Sequence, residues 1–363
     1  MMLFLFIFIP LLLIDLYTPH IIRKTTVFGV SIPEPFIDDQ QLASFKRGYT
    51  FTIARYQIPL IILLCALAVW LNDVEEAFLM IGGVFCYLFI SMIVYLNYHH
   101  KVAAYKKEQQ WEQELKIVRV SAFETKFEKK GRPFPHILFI PSFLLTIGLT
   151  IWLISIYPTL PAVIPTHWGI NGQPDAWSDK SLFSVFFLIG TLLFTQVLVY
   201  GMSYGTYYSS AQLKAQDTAR SYEREHEMRK LTVFFMALTN LLVTLLLSWL
   251  EVQSTLNILN HDHTLSITFT LPAFLLLTFG VIFWYMKRAK QLNEQFKEEK
   301  SLESVPDDDK HWKWGLFYFN RNNPDFFVEK KFGVGWTVNF AHPGVWIFLI
   351  LTLGVPLIPL FFI

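Results

Sequence analysis

Apolar residues fall along this chain in long unbroken stretches separated by charged segments. Eight stretches approach the roughly 20 apolar residues that cross a hydrocarbon layer about 30 Å thick. They run Met2 to Leu16, Gln57 to Leu71, Ala77 to Tyr98, Ile137 to Tyr157, Leu182 to Gly205, Leu231 to Leu250, Leu265 to Met286 and Val345 to Ile363. The pattern predicts an all-α polytopic membrane protein of about eight transmembrane helices. The first stretch has no basic residues before it and no small-residue cleavage site after it, so it reads as an anchor rather than a signal peptide. It is taken to end at Asp15, and on these boundaries no helix centre carries Asp, Glu, Lys, Arg or His.

Between the spans the pattern becomes amphipathic. Asp38 and Asp39 precede Gln40 to Tyr49, with Leu42, Phe45 and Tyr49 on one face, which predicts a capped helix lying at the membrane surface or serving as a connector. The charged loop His99 to His136, around Trp111 and Leu115, predicts a helical extension of the third span. Beyond Asp307-Asp308-Asp309 the residues change again. Trp312, Trp314, Phe317 and Phe319 lead to the turn signal Asn322-Asn323-Pro324-Asp325. Phe326-Phe327-Val328 and Gly333-Val334-Gly335-Trp336 follow, and together they predict a small aromatic cytoplasmic hairpin. One isolated hairpin is marginal in water, so Trp312, Trp314, Phe317, Phe319 and Trp336 either dock on the bundle or present a partner platform. Gly333 and Gly335 lack the context of a phosphate loop. Four regions follow: 1–136 with three helices, 137–205 with two helices and an outer loop, 206–304 with the third pair, and 305–363 with the aromatic segment and last helix.

Charge supplies direction. Of 30 Lys and Arg, 29 fall in the four loops that share one side if the count of eight holds, leaving Lys180 alone on the other. The positive-inside rule then places both termini outside. The 30 cations against 29 acids give no bulk basic field, so nucleic acid is excluded as a partner and the bilayer is the expected one. Cys65 and Cys86 lie in apolar runs and read as small hydrophobes. The composition, 53% hydrophobic and only 16% charged, agrees with a cell-membrane, multi-pass protein.

Candidate chemistry concentrates in the outer loop Pro165 to Lys180. Asn171-Gly172 is a tight-turn signal, and Ser178-Asp179 can cap the fifth span. Those devices do not require His167, Asp175 and Lys180 between two indoles, Trp168 and Trp177. The three polar residues form either a structural cluster or a recognition site. His261-Asp262-His263, expected on the same side as His167 and Asp175, raises a metal-dependent envelope enzyme as an alternative, but a His-x-His in a short polar loop is more often solvent-exposed and no general base accompanies it. No metal or other cofactor is therefore expected.

Pro165, His167, Asn171, Gly172, Asp175 and Lys180 resemble the signature of a membrane domain of uncharacterised biochemistry shared with SdpI-type bacteriocin immunity proteins. The resemblance covers the fourth span, the loop and the fifth span. The second motif of those proteins, Gly-Ile-Arg-Thr-Pro-Trp, has only a loose echo in Gly29-Val30-Ser31-Ile32-Pro33. The C-terminal aromatic segment resembles a small domain appended to such proteins. The resemblance implies a non-enzymatic sensor or immunity protein acting on an extracytoplasmic peptide or envelope signal, with a secreted peptide and a cytoplasmic regulator as candidate partners. A facilitator or transporter is the alternative.

Overall fold

The computed structural model describes residues 2–21, 25–71, 73–111, 133–169, 172–209, 218–260, 270–296 and 309–354. Its helices are α1 (Met2–Ile21), α2 (Gln40–Ala68), α3 (Asp73–Glu108), α4 (Ile140–Ile156), α5 (Leu182–Tyr208), α6 (Thr218–Leu259), α7 (Thr270–Gln295) and α8 (Pro343–Gly354). Among the described residues, seven helices are long and apolar enough to cross a membrane, and α8 is a shorter apolar helix. Outward-facing stripes such as Phe78, Phe85 and Phe89 on α3, or Ile147, Ile151 and Ile154 on α4, are exposed. Water would not tolerate such continuous apolar surface, whereas lipid does. This is the architecture of a multi-pass membrane protein.

The helices pack as two groups joined by a seventh. α2 lies against α1 and α3, α6 lies against α4 and α5, and α7 touches both α6 and α1. Phe4, Phe8, Ile61, Leu64 and Tyr87 form the core of the first group. Leu149, Leu153, Val185, Ile189 and Ile258 form one core of the second.

Three sequence expectations change in the structure. The surface helix expected from Gln40 to Tyr49 is instead the first part of α2, whose buried face runs on through Leu42, Tyr49, Ile53, Gln57, Ile61 and Leu64. Asp39 caps it as expected, its Oδ1 accepting from the amides of Gln41 at 2.8 Å and Leu42 at 3.0 Å. Because the apolar face keeps helical spacing across the assumed boundary, nothing in the sequence breaks the helix there.

The second change concerns α1, which continues past Asp15 to Ile21. A carboxylate therefore lies inside a spanning helix, at the end that the hydropathy pattern predicts. The extension predicted for the third span is present, with α3 helical to Glu108 and Trp111 buried beyond it. At 36 residues α3 is about 54 Å long, well beyond the thickness of the hydrocarbon.

The third change is the amount of β-structure outside the helices. Four antiparallel two-stranded sheets pair β1 (Thr26–Val27) with β2 (Val30–Ser31), β3 (Val163–Trp168) with β4 (Pro174–Asp179), β5 (Trp312–Lys313) with β6 (Phe317–Tyr318), and β7 (Phe327–Glu329) with β8 (Trp336–Val338). Strands this short do not stand alone. β5–β6 and β7–β8 are joined by a bridge between Tyr318 and Asn339. The fully buried Asn339 donates to the carbonyls of Asn320 and Asn323, each at 2.9 Å, and accepts from the amides of Asn320 and Ala341. One side chain thus completes the backbone pairing that the short strands leave open.

Candidate functional site

The loop singled out in the sequence is a β-hairpin standing on a helical base. Leu160 and Ile164 at its root are buried with Leu149, Leu153, Val185, Ile189 and Ile258, so α4, α5 and α6 fix where it emerges. Its register pairs Val163 with Asp179, Ile164 with Ser178 and Pro165 with Trp177, then shifts on either side of His167. Such irregularities re-aim side chains. Here the shift brings His167 Nδ1 to 2.5 Å from Asp175 Oδ1, with the side chains 62% and 52% exposed.

Lys180 does not join that pair. Its Nζ donates to the carbonyl of Leu160 at 2.7 Å and lies 5.4 Å from the centre of the Tyr157 ring, while its amide donates to Ala162. Lys180 therefore ties the base of the hairpin to the end of α4. The cap of α5 also differs from the expected Ser178-Asp179: Ser181 accepts from the Ser184 amide at 3.0 Å, and Ser184 Oγ accepts from the Ser181 amide at 2.9 Å. Any Ser within a few residues of the helix start could have served, and the strand pairing of Ser178 commits it elsewhere.

At the hairpin tip Gly172 donates to the Gly169 carbonyl at 2.9 Å, and Gly169 donates to Gln173 at 2.8 Å. Asn171 lies outside the described residues. Trp168 is half-buried and Trp177 is exposed. His261-Asp262-His263 also lies outside the described residues. Among the described residues, no three His, Cys, Asp or Glu side chains are placed to hold a metal ion.

The second candidate surface is the head formed by the chain segment after α1, the free end of α3 and the aromatic segment. Trp312 is buried, packing on Tyr318 with ring centres 5.1 Å apart, whereas Trp314, Phe317 and Phe319 are exposed and Trp336 is half-buried. The head is held by groups the sequence reading did not single out. Asp309 accepts from Lys106 Nζ at 2.7 Å, from Lys331 Nζ, and from the Ser31 amide at 3.1 Å. Burial alone would raise the Asp309 carboxyl, but Lys331 and Lys106 beside it, with their hydrogen bonds, more than offset this and hold it at about 2.

Above this ion cluster two tight turns meet. Phe28 and Gly29 have φ of 45° and 76°, and Trp314 and Gly315 have φ of 55° and 69°. Two successive positive φ values are the mark of the two-residue turn that suits the twist of a hairpin. Tyr95 OH lies 3.2 Å from the carbonyl of Phe28 and 3.1 Å from that of Trp314, and His99 Nδ1 lies 2.7 Å from Phe28 O. No local signal announces these contacts, since the partners are separated by more than 60 residues in each case.

Buried polar groups occur within the helices as well. Gln196 Nε2 donates to Thr146 Oγ1 at 2.7 Å, Thr244 Oγ1 at 2.9 Å and the Ser142 carbonyl at 3.1 Å, joining α4, α5 and α6. This is the interhelical role expected of a mid-span Gln.

A multi-pass helical bundle with a β-hairpin between α4 and α5 and a β-rich head is thus the class of protein defined here. Residues 143–193, which hold most of α4, the hairpin and the first part of α5, match a domain of unknown function (DUF1648). Residues 321–346, which hold β7, β8 and Asn339, match a family of unknown function (DUF5808). No curated protein and no solved structure matches the chain.

Proposed function

We propose that the protein is a non-enzymatic receptor of the cell membrane, with both termini outside, whose β3–β4 hairpin recognises an extracytoplasmic peptide or envelope signal. The supporting observation is that His167 and Asp175 form an exposed pair at a shifted register between two indoles, while Lys180, Ser181 and Ser184 already account for the hairpin's attachment. Exposed polar groups held on a packed base are available for binding. The resemblance to SdpI-type immunity proteins supports the same reading, with the head at 309–342 as the surface offered to a cytoplasmic regulator.

The test compares cells that lack the gene with cells carrying intact, His167→Ala, Asp175→Ala or Trp177→Ala copies, challenged with secreted peptides and envelope stress. The variants should accumulate normally and lose the protection or response that the intact copy restores. Variants that retain both abundance and response refute the hairpin as the recognition surface. Orientation is tested separately with single cysteines in a background lacking Cys65 and Cys86. Cysteines at Gln173 and Asn257 should react with an impermeant reagent in intact cells, and those at Gln110 and Asn322 should not.

A facilitator or transporter is the second reading. It is favoured by one observation, the carboxylate of Asp15 inside α1.

A further inference from the structure

Asp15 stands two-thirds of the way along α1, about 9 Å of helix rise before Ile21. Its Oδ2 accepts from Ser91 Oγ at 2.6 Å and from Tyr87 OH at 3.0 Å. Both donors are neutral hydroxyls on α3. Gln57 of α2 lies behind them, donating from Nε2 to Ser91 Oγ and to the Tyr87 carbonyl, each at 2.9 Å. The donors are thereby ordered: Gln57 fills the acceptor side of Ser91 and leaves its proton for Asp15. Three helices close on one carboxylate.

The remaining inventory is one donor short. Gln57 is fully buried, and its Oε1 has no hydrogen-bond partner among the described residues. Two hydroxyl contacts soften a carboxylate but leave its charge in the span, where an ionised group without a cation is costly. A proton on Asp15 removes that charge and makes its carboxyl a donor as well as an acceptor. Among the described residues, the ionisable groups facing it are Tyr49 from α2 and Tyr87 from α3. His20 lies further along α1, and Lys46 of α2 and Lys290 of α7 act on it.

The same side of α3 continues towards the head. Tyr87, Ser91, Tyr95 and His99 follow one another at intervals of four, which keeps them on one slowly turning face of the helix. The first two hold Asp15, and the second two hold the Phe28 and Trp314 turns. α1 leads within seven residues from Ile21 to Phe28, so the carboxylate and the turn are also linked along the chain. We propose that Asp15 is an intramembrane proton-binding site whose occupancy sets how firmly the Phe28–Gly29 and Trp314–Gly315 turns dock on α3. Loss of the proton strengthens the demand of Asp15 on Tyr87 and Ser91 and shifts α1 against α3. Binding of the proton relaxes it. The two states differ in their contacts, as any coupled equilibrium requires.

The test uses the full chain in lipid nanodiscs. Infrared difference spectra across a pH titration should show the carbonyl stretch of a protonated carboxylic acid that vanishes with pH and is missing in Asp15→Asn. Tyr87→Phe, which keeps the carboxylate but removes one donor to its charged form, should raise the midpoint by about one pH unit, a tenfold gain in proton affinity. Hydrogen–deuterium exchange at 26–31 and 312–318, corrected for intrinsic pH dependence, should follow the same midpoint in the intact protein and lose that step in Asp15→Asn. A titrating band unchanged by Asp15→Asn overturns the site, and an unmoved midpoint in Tyr87→Phe overturns the assigned cluster. Turn exchange that tracks pH identically in Asp15→Asn overturns the coupling. Should Asp15→Asn fail to fold, Tyr87→Phe alone decides by whether the band and the exchange step move together.

Discussion

Gly29 and Gly315 meet backbone to backbone: a Cβ placed on Gly29 would lie 2.6 Å from the Cα of Gly315, and one on Gly315 would lie 2.7 Å from the Cα of Gly29. Both have positive φ, where a side chain is strained, and a Cβ at either would overlap the backbone of the other turn, so glycine alone suits both the conformation and the space. Gly29→Ala or Gly315→Ala should therefore cost roughly 1–2 kcal/mol for the backbone alone, with the overlap in addition. Gly148→Ala, at a helix position where an added Cβ meets nothing within 4 Å, should be neutral or slightly stabilising. Limited proteolysis of the three variants in detergent should open residues 309–342 in the first two only.

Asp309→Asn should destabilise the head by about 3–5 kcal/mol, because the Lys106 and Lys331 side chains, 4% and 6% exposed, lose their common counter-charge. Replacing all three by apolar residues should recover much of the loss. Hydrogen exchange of the Ser31 amide, which Asp309 accepts, reports the change.

The same cluster sets a pH response with a definite sign. The folded Asp309 carboxyl, at about 2, lies below its ordinary 3.8, so its contribution is fully present above about pH 4 and is lost as pH falls towards 2. Head unfolding followed by tryptophan emission should shift to milder denaturant over that interval. Asp309→Asn should abolish the shift.

On the β3–β4 hairpin, the pair and the lysine should behave differently. Asp175→Asn should change stability by no more than about 0.5 kcal/mol, since exposed ion pairs contribute little. Lys180→Ala should cost about 1–2 kcal/mol by removing the donor to the Leu160 carbonyl. Thermal unfolding of the two variants separates recognition groups from attachment groups.

Within the second helix group, Gln196→Leu should cost only about 1 kcal/mol. Thr146 and Thr244 donate to their own helix carbonyls, so their protons stay satisfied when Gln196 is gone. Gln196→Ala should cost more, because it adds a cavity. Unfolding in mixed micelles measures both.

How much of this was legible in the sequence depended on how local each signal was. The spans could be read because hydropathy is a sum over neighbours, and the Asp39 cap because its partners are two and three residues away. Asn171 of the expected turn lies outside the described residues, while the proximity of His167 and Asp175, eight residues apart in one loop, is legible in the sequence. Lys180 was misassigned because charge invites pairing with charge, whereas a backbone carbonyl twenty residues back carries no sequence mark. By hydropathy alone Asp15 marks the edge of a span, although a carboxylate inside a helix is equally compatible with the pattern once hydroxyls on another helix receive it. The Asp309 cluster was invisible for the same reason: Lys106 lies 203 residues away.

The meeting of Phe28-Gly29 with Trp314-Gly315 also fixes an order of events during synthesis. The first hairpin emerges early and waits while nearly 290 residues are added, on the order of 15–60 s at about 5–20 residues/s. Until then Lys106 lacks the Asp309 carboxylate, Tyr95 has one carbonyl to bond instead of two, and the Phe28 ring lacks Phe332, which later packs 5.9 Å away. The head is thus a late mark of synthesis: a ribosome that stops before Gly315 leaves a threaded set of helices whose first hairpin has no partner turn to meet.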